Sequence, residues 1–246
     1  AFYRVPGVDG PVVSIVEDRD GLVWAATWGR GLFRAAAGGA SRWSLENGLT
    51  DDFVHTLFED REGSLWIGTR AGLSRWRSGP IVPYGPEEGL DAQFLSTVIG
   101  VHRNEILVGS WRRGVHRLKN GRLEAVPLGF PVESTLIRAM AFARNGDLWF
   151  SDWRSLHHNS TRGRKVYLRE HLRHDPSAHA ILFGRNGSLW LGGIDGLYVY
   201  SDANLLARPP VQWSDRQIHC LLEAADGTVW AGTGKGLLAI REGRIR

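Results

Sequence analysis

The sequence predicts an all-β chain built from one repeated four-stranded unit, and three observations predict it. The first is composition: 31 Gly and 11 Trp stand against a single Met in 246 residues, which suits short strands joined by Gly turns. The second is the stretch Asp60–Trp76, which alternates turn, strand, turn and strand. The third is that this stretch recurs at a near-constant interval along the chain.

Taken in order, Arg61-Glu62-Gly63 is a tight connection, because Gly adopts positive φ without a steric penalty. Ser64–Thr69 is a short run with β-prone Trp66, Ile67 and Thr69. Ala71-Gly72 is a second turn signal, and Leu73–Trp76 alternates apolar and polar as a half-buried strand does. Aligned on Trp66, the equivalent anchors are Trp24, Leu107, Trp149, Trp190 and Trp230, at intervals of 42, 41, 42, 41 and 40 residues. Three positions before each anchor stands Gly21, Gly63, Asn104, Gly146, Gly187 or Gly227. Nine positions before it the residue is always apolar, from Ile15 and Leu57 to Leu221.

Each copy reads as four strands, at about 54–59, 64–69, 72–77 and 80–84 in the second. An antiparallel unit of this length has two apolar faces and cannot bury both alone. Stacking the units in a ring buries both faces, so residues 1–246 are predicted to form a single six-bladed β-propeller domain with each anchor packed between blades. Gly243–Arg246 joined to Ala1–Pro6 is similar to Gly121–Pro127, so the N-terminal segment is expected to complete the outer strand of the last blade and close the ring. The least regular region is 157–178, where Val166–Arg173 has the composition of a short helical excursion.

No apolar run is long enough to span a membrane. Beginning at Ala1 with no leader-like stretch, the chain reads as a mature or excised segment. The lone Cys220 cannot pair within the chain, which fits a reducing compartment or a periplasmic protein without disulfides. A formal charge of +4 favours anionic partners and gives little support to nucleic-acid binding.

The stretch from Asn47 to Trp76 resembles the two-component regulator propeller repeat. Val13–Asp18 with Gly21-Leu-Val-Trp24 resembles it in the first copy, and Asp226–Leu237 in the sixth; copies three to five are degenerate. The resemblance implies the periplasmic sensor region of a bacterial hybrid histidine kinase or diguanylate cyclase. It further implies ligand sensing, often of oligosaccharides, a downstream signalling domain or dimer partner, and membrane contact only through flanking segments. It implies no cofactor and no chemistry in the propeller itself.

Departures from the repeat mark the candidate site. The loops between second and third strands carry Trp28 and Arg30, Arg70, Trp111 with Arg112 and Arg113, Trp153 with Arg154, and Lys235. A Trp beside Arg can stack on a sugar ring while the guanidinium grips a carboxylate, or it can simply close the blade top. Eleven positions before the anchors stand Val13, His55, Ser96, Arg138, His179 and His219, a second set of candidate ligand contacts. Three His converging on an axis would also suit a metal-dependent lyase acting on uronides, the alternative to a binding module, although Arg138 in the same ring repels a cation. A protein–protein scaffold is the third reading. Arg19, Arg61, Arg144 and Arg185 share one position in the first hairpin turns, either a basic ring for an anionic partner or a set of solvated turn residues. There is no zinc-binding Cys pattern, phosphate-cradling Gly loop or nucleophile motif.

Overall fold

The computed structural model describes residues 7–36, 39–90, 94–101, 105–128, 136–168, 175–200, 211–214, 217–224, 226–233, 236–241 and 244–245. These form six four-stranded antiparallel sheets, the blades of a six-bladed β-propeller. The chain divides into two compact units, Ala1–Leu136 and Ile137–Arg246.

The first unit holds three blades. Blade one is β1 (Val12–Glu17), β2 (Val23–Thr27), β3 (Gly31–Ala36) and β4 (Gly39–Trp43). Blade two is β5 (Val54–Glu59), β6 (Leu65–Thr69), β7 (Leu73–Trp76) and β8 (Val82–Tyr84), within two residues of the expected bounds. Blade three is β9 (Leu95–Gly100), β10 (Ile106–Ser110), β11 (Gly114–Lys119) and β12 (Arg122–Ala125). In each, strands pair in sequence order. Two short 3-10 turns, Leu45–Asn47 and Pro86–Glu88, lead from one blade to the next.

The second unit repeats the plan. Blade four is β13 (Ala139–Phe142), β14 (Leu148–Ser151), β15 (Leu156–Ser160) and β16 (Gly163–Tyr167). Blade five is β17 (Ala180–Phe183), β18 (Leu189–Gly193), β19 (Gly196–Tyr200) and β20 (Val211–Ser214), and blade six is β21 (Ile218–Glu223), β22 (Val229–Thr233), β23 (Gly236–Arg241) and β24 (Arg244–Ile245). Val166 and Tyr167 are strand residues paired with His157 and Leu156, so the helical excursion does not begin there; residues 169–174 lie outside the described residues. The sixth blade's fourth strand is supplied by Arg244 and Ile245, the first part of the expected composite strand; residues 1–6 lie outside the described residues.

Within each unit the cores lie between successive blades. Trp24, Ala26 and Leu32 of blade one pack with Leu57, Leu65 and Ile67 of blade two. Trp149 and Leu156 of blade four pack with Leu189 and Leu191 of blade five. Trp24 and Trp149 are fully buried, and Leu107 fills the anchor position in blade three at 3% exposure. Hydrogen bonds also locate two of the anchors. The Asp18 carboxylate accepts from the backbone N–H of Asp20 and Leu22 and from Trp24 Nε1 at 2.7 Å, and Asp60 does the same for Glu62, Ser64 and Trp66. One Asp thus shapes the turn and fixes the indole that follows it.

Two of the four turn arginines, Arg19 and Arg144, reach the next blade. Arg19 Nε donates to Glu59 at 3.0 Å, and its Nη2 donates to the carbonyls of Asp60 and Arg61 on the next blade. Arg144 donates to the carbonyl of Arg185, whose backbone N–H donates to Glu223 at 2.9 Å. Glycine is needed at Gly63, where φ is +83° and a Cβ would stand 2.9 Å from the Arg19 guanidinium. The contacts of Arg19 and Arg144 were not legible in the sequence because their partners lie about 40 residues away, on a neighbouring blade.

Candidate functional site

In the first unit the candidate residues sit on the loops from second to third strand and at the start of the first strands. Thr27, Thr69 and Ser110 each turn a buried hydroxyl onto the carbonyl of Gly31, Gly72 or Gly114, closing the loop. The next residue in each case is Trp28, Arg70 or Trp111, which is lifted out at 46% exposure for Trp28 and 37% for Trp111. Backbone bonds tie these loops together. Trp28 forms a bridge with Phe53, Arg70 N–H donates to the Phe53 carbonyl, Phe94 N–H to Arg70, and Trp111 N–H to Phe94.

The side chains form a continuous aromatic surface. Trp28 meets Phe53 and His55 edge-on, with ring centroids 5.6 and 4.8 Å apart. His55 meets Phe94 at 6.4 Å, and Phe94 stacks on Trp111 at 5.1 Å. His55 is the extra residue of a β-bulge, since Val54 pairs with Thr69 and Thr56 with Gly68. Val13, Ser96 and His219 occupy the same bulge in their blades. A bulge re-aims one side chain out of the strand alternation, which makes this repeat position distinctive. Its Nε2 is buried with no hydrogen-bond partner, and burial lowers the His55 pKa, helped by the Arg70 charge and opposed by Asp51.

Arg70 does not present a free cation. Its Nε pairs with Asp51 at 3.0 Å and its guanidinium lies 4.2 Å over the Phe53 ring. Arg30, Arg112 and Arg113 are exposed. Arg112 holds its loop at φ 70°, and the carbonyl of Arg30 accepts a hydrogen bond from Arg42.

In the second unit Trp153 is 50% exposed and Arg154 is also exposed, and their loop is closed by Asp152, which accepts from the backbone of Arg154 and Ser155. Asp152 also meets His157 Nε2 at 2.9 Å. Burial pushes the Asp152 pKa up, but the bonds from His157 and the two amides outweigh it and hold the carboxyl below the usual range. Arg138 lies 3.8 Å over the Trp153 ring and donates to His179 Nε2. The His179 and His219 rings are 6.1 Å apart and nearly parallel. Burial first, then the charges of Arg138 and His219, lower the His179 pKa to about 4. Burial likewise lowers the Arg138 pKa. Ring stacking and the Arg138 bond occupy His179, and among the described residues no group of three His, Cys, Asp or Glu is placed to hold a metal ion. Lys235 lies outside the described residues.

Sequence reasoning missed Phe53 and Phe94, which stand thirteen positions before Trp66 and Leu107 and share one repeat position. That coincidence was the available signal. It also missed the pairing of Arg70 with Asp51, and Ile194, 50% exposed at the loop position where other blades place Trp.

The described residues thus form bladed repeats with an aromatic loop surface in the first unit. Residues 6–29, 48–71 and 212–235, in the first, second and sixth copies, match the two component regulator propeller repeat. Among curated proteins none matches the chain in sequence. Two extracellular domains of hybrid two component systems of B. thetaiotaomicron share the fold, one with a TM-score of 0.71 at 18% identity over 91% of this chain and 33% of its own. The other has a TM-score of 0.67 at 18% identity over 99% of this chain and 40% of its own. The chain thus spans between a third and two-fifths of these structures. The virginiamycin B lyase of Staphylococcus aureus shares the fold at a TM-score of 0.74 and 18% identity, over 96% of this chain and 81% of its own.

Proposed function

We propose that this propeller is a non-enzymatic binding module, the extracytoplasmic, periplasmic sensor region of a bacterial signalling receptor, and that its ligand is a polar, anionic small molecule or oligosaccharide. The observation that carries the reading is the pair of exposed indoles, Trp28 and Trp111, backed by His55 and Phe94. Large exposed rings held in place by other rings suit the apolar faces of sugars, because little side-chain freedom is lost on contact. Arg30 and Arg112 are the exposed cations beside them that suit a carboxylate or sulfate, whereas Arg70, neutralised by Asp51, braces Phe53. The sensor-repeat family and the two B. thetaiotaomicron domains support the signalling context.

Ligand binding would favour one arrangement of the propeller and its downstream domain or dimer partner, since a ligand shifts only the equilibrium whose states it binds unequally. Titration calorimetry with neutral and uronate-containing oligosaccharides tests the reading. It predicts a binder whose affinity falls in both Trp28→Ala and Trp111→Ala; an affinity unchanged in both contradicts it.

A lyase reading has one observation on its side, the parallel His179–His219 pair beside Arg138. Stoichiometric metal in the purified protein, lost in His179→Ala and His219→Ala, would decide for it.

A further inference from the structure

Arg138 is a half-buried cation that the second unit leaves without a carboxylate at its side. It stands immediately before β13, where its backbone N–H donates to the Ser151 carbonyl of β14. His179 stands at the same point of blade five, its N–H donating to Gly192, and His219 occupies the bulge of β21 in blade six. The repeat thus brings one polar side chain from each of three successive blades together. Arg138 donates to His179 Nε2, and the His179 and His219 rings lie 6.1 Å apart.

The surroundings of the guanidinium leave one part of it open. A face lies 3.8 Å over the Trp153 ring, and one N–H is given to His179. Among the described residues Arg138 makes no other hydrogen bond and no ion pair. Asp175 acts on it at longer range, and Asp175 Oδ1 already accepts from the backbone N–H and the hydroxyl of Ser177. Taking a cation partly out of water without a counter-ion is unfavourable, and burial accordingly lowers the Arg138 pKa.

An anion at the open edge relieves that cost, and the geometry limits which anion. Stacking occupies the face of the guanidinium, so the remaining donors lie in its plane, where they suit the two oxygens of a carboxylate. His179 titrates near 4 and adds no second positive charge at neutral pH, so one guanidinium meets one negative charge. His219 is exposed beside this group, and the Trp153 indole is 50% exposed, which gives a ring attached to the carboxylate an apolar surface to lie against.

We propose that Arg138, His219 and Trp153 form a carboxylate-binding subsite on the second unit, one that takes a singly charged carboxylate carried on a sugar ring. The subsite uses no residue of the Trp28 and Trp111 surface, and it gives the His179–His219 pair a role in binding rather than in metal or base chemistry.

Glucuronate, acetate, glucose and inorganic phosphate are titrated separately into the whole chain while the imidazole resonances are followed by NMR, with those of His55, His179 and His219 assigned from His55→Gln, His179→Gln and His219→Gln. Glucuronate shifts the His179 and His219 signals saturably, acetate does so more weakly, and glucose does not. Arg138→Gln weakens the glucuronate response about tenfold or more, the scale of a charge-assisted hydrogen bond. Trp153→Ala weakens glucuronate more than acetate. Absence of a shift at both His179 and His219 with both carboxylates overturns the proposal, as does wild-type affinity in Arg138→Gln. Phosphate binding more tightly than acetate overturns the carboxylate assignment. Shifts confined to His55 place the anion on the Trp28 and Trp111 surface, which overturns the subsite while supporting that surface. Should Arg138→Gln fail to fold, Trp153→Ala still decides, and an unchanged affinity for glucuronate in that variant overturns the subsite.

Discussion

Trp111 lies nearly flat on Phe94, with ring centroids 5.1 Å and planes 14° apart, and Phe94 holds this pose at φ 55°. A bulky side chain in the left-handed region is strained by about 1–3 kcal/mol. The strain is sustained because the Phe94 amide donates to Arg70 at 2.7 Å and its carbonyl accepts from Trp111 at 3.1 Å. Backbone strain and ring stacking thus act on one residue, and substitution separates them.

Phe94→Gly and Phe94→Ala both remove the ring, but only Gly relieves the backbone. Urea unfolding is expected to find the Gly variant more stable than the Ala variant by about 1 kcal/mol, against the usual order. Both variants should weaken binding of any ligand that uses Trp111.

Trp149 is fully buried, and its Nε1 has no hydrogen-bond partner. In blades one and two the acceptor is an Asp six positions before the anchor; in blade four that position is Ala143, in a turn with the same backbone bonds. Ala143→Asp should supply the acceptor and stabilise the protein by about 1 kcal/mol, raising the melting temperature by about 2–4 °C.

The Arg19 clamp joins two blades at partly exposed groups, so its effect is modest. Arg19→Ala should destabilise by about 1–2 kcal/mol because three donated hydrogen bonds go at once. Glu59→Gln should lose less, since an exposed ion pair contributes about 0–1 kcal/mol. Chemical denaturation at two salt concentrations checks both, and only the ion-pair part should shrink with salt.

His179 titrates near 4 in the folded protein against an ordinary 6.5, because burial and then the Arg138 and His219 charges disfavour the imidazolium. The unfolded chain therefore takes up this proton first. The group leaves stability unchanged above about 6.5, lowers it as pH falls from 6.5 towards 4, and has no further effect below that. His179→Gln should flatten the fall in stability between pH 6.5 and 4 measured by urea unfolding; an unchanged slope would contradict the assignment.

The blades were legible in the sequence because their signals are local. A Gly at the turn, a large residue three positions on and an apolar residue nine positions back recur in register, and Leu107 keeps the pattern where the indole is lost. The exposed Trp28, Trp111 and Trp153 were legible as departures from that register. Their surroundings were not. The bulge that re-aims His55 adds one residue to a strand without altering the apolar pattern. The bracing of Arg70 by Asp51, the stacking of Arg138 on Trp153 and the clamp from Arg19 to Glu59 each join residues 15 to 40 positions apart. Whether a cation on this surface is free or already spent is decided by such contacts.

The most direct test of the account is calorimetric affinity for an oligosaccharide ligand in the wild-type chain, Trp28→Ala and Trp111→Ala, with folding checked by thermal unfolding. Each substitution is predicted to weaken binding about tenfold or more while leaving the melting temperature nearly unchanged, because both side chains are substantially exposed. Wild-type affinity in both variants would contradict the aromatic surface as the ligand site.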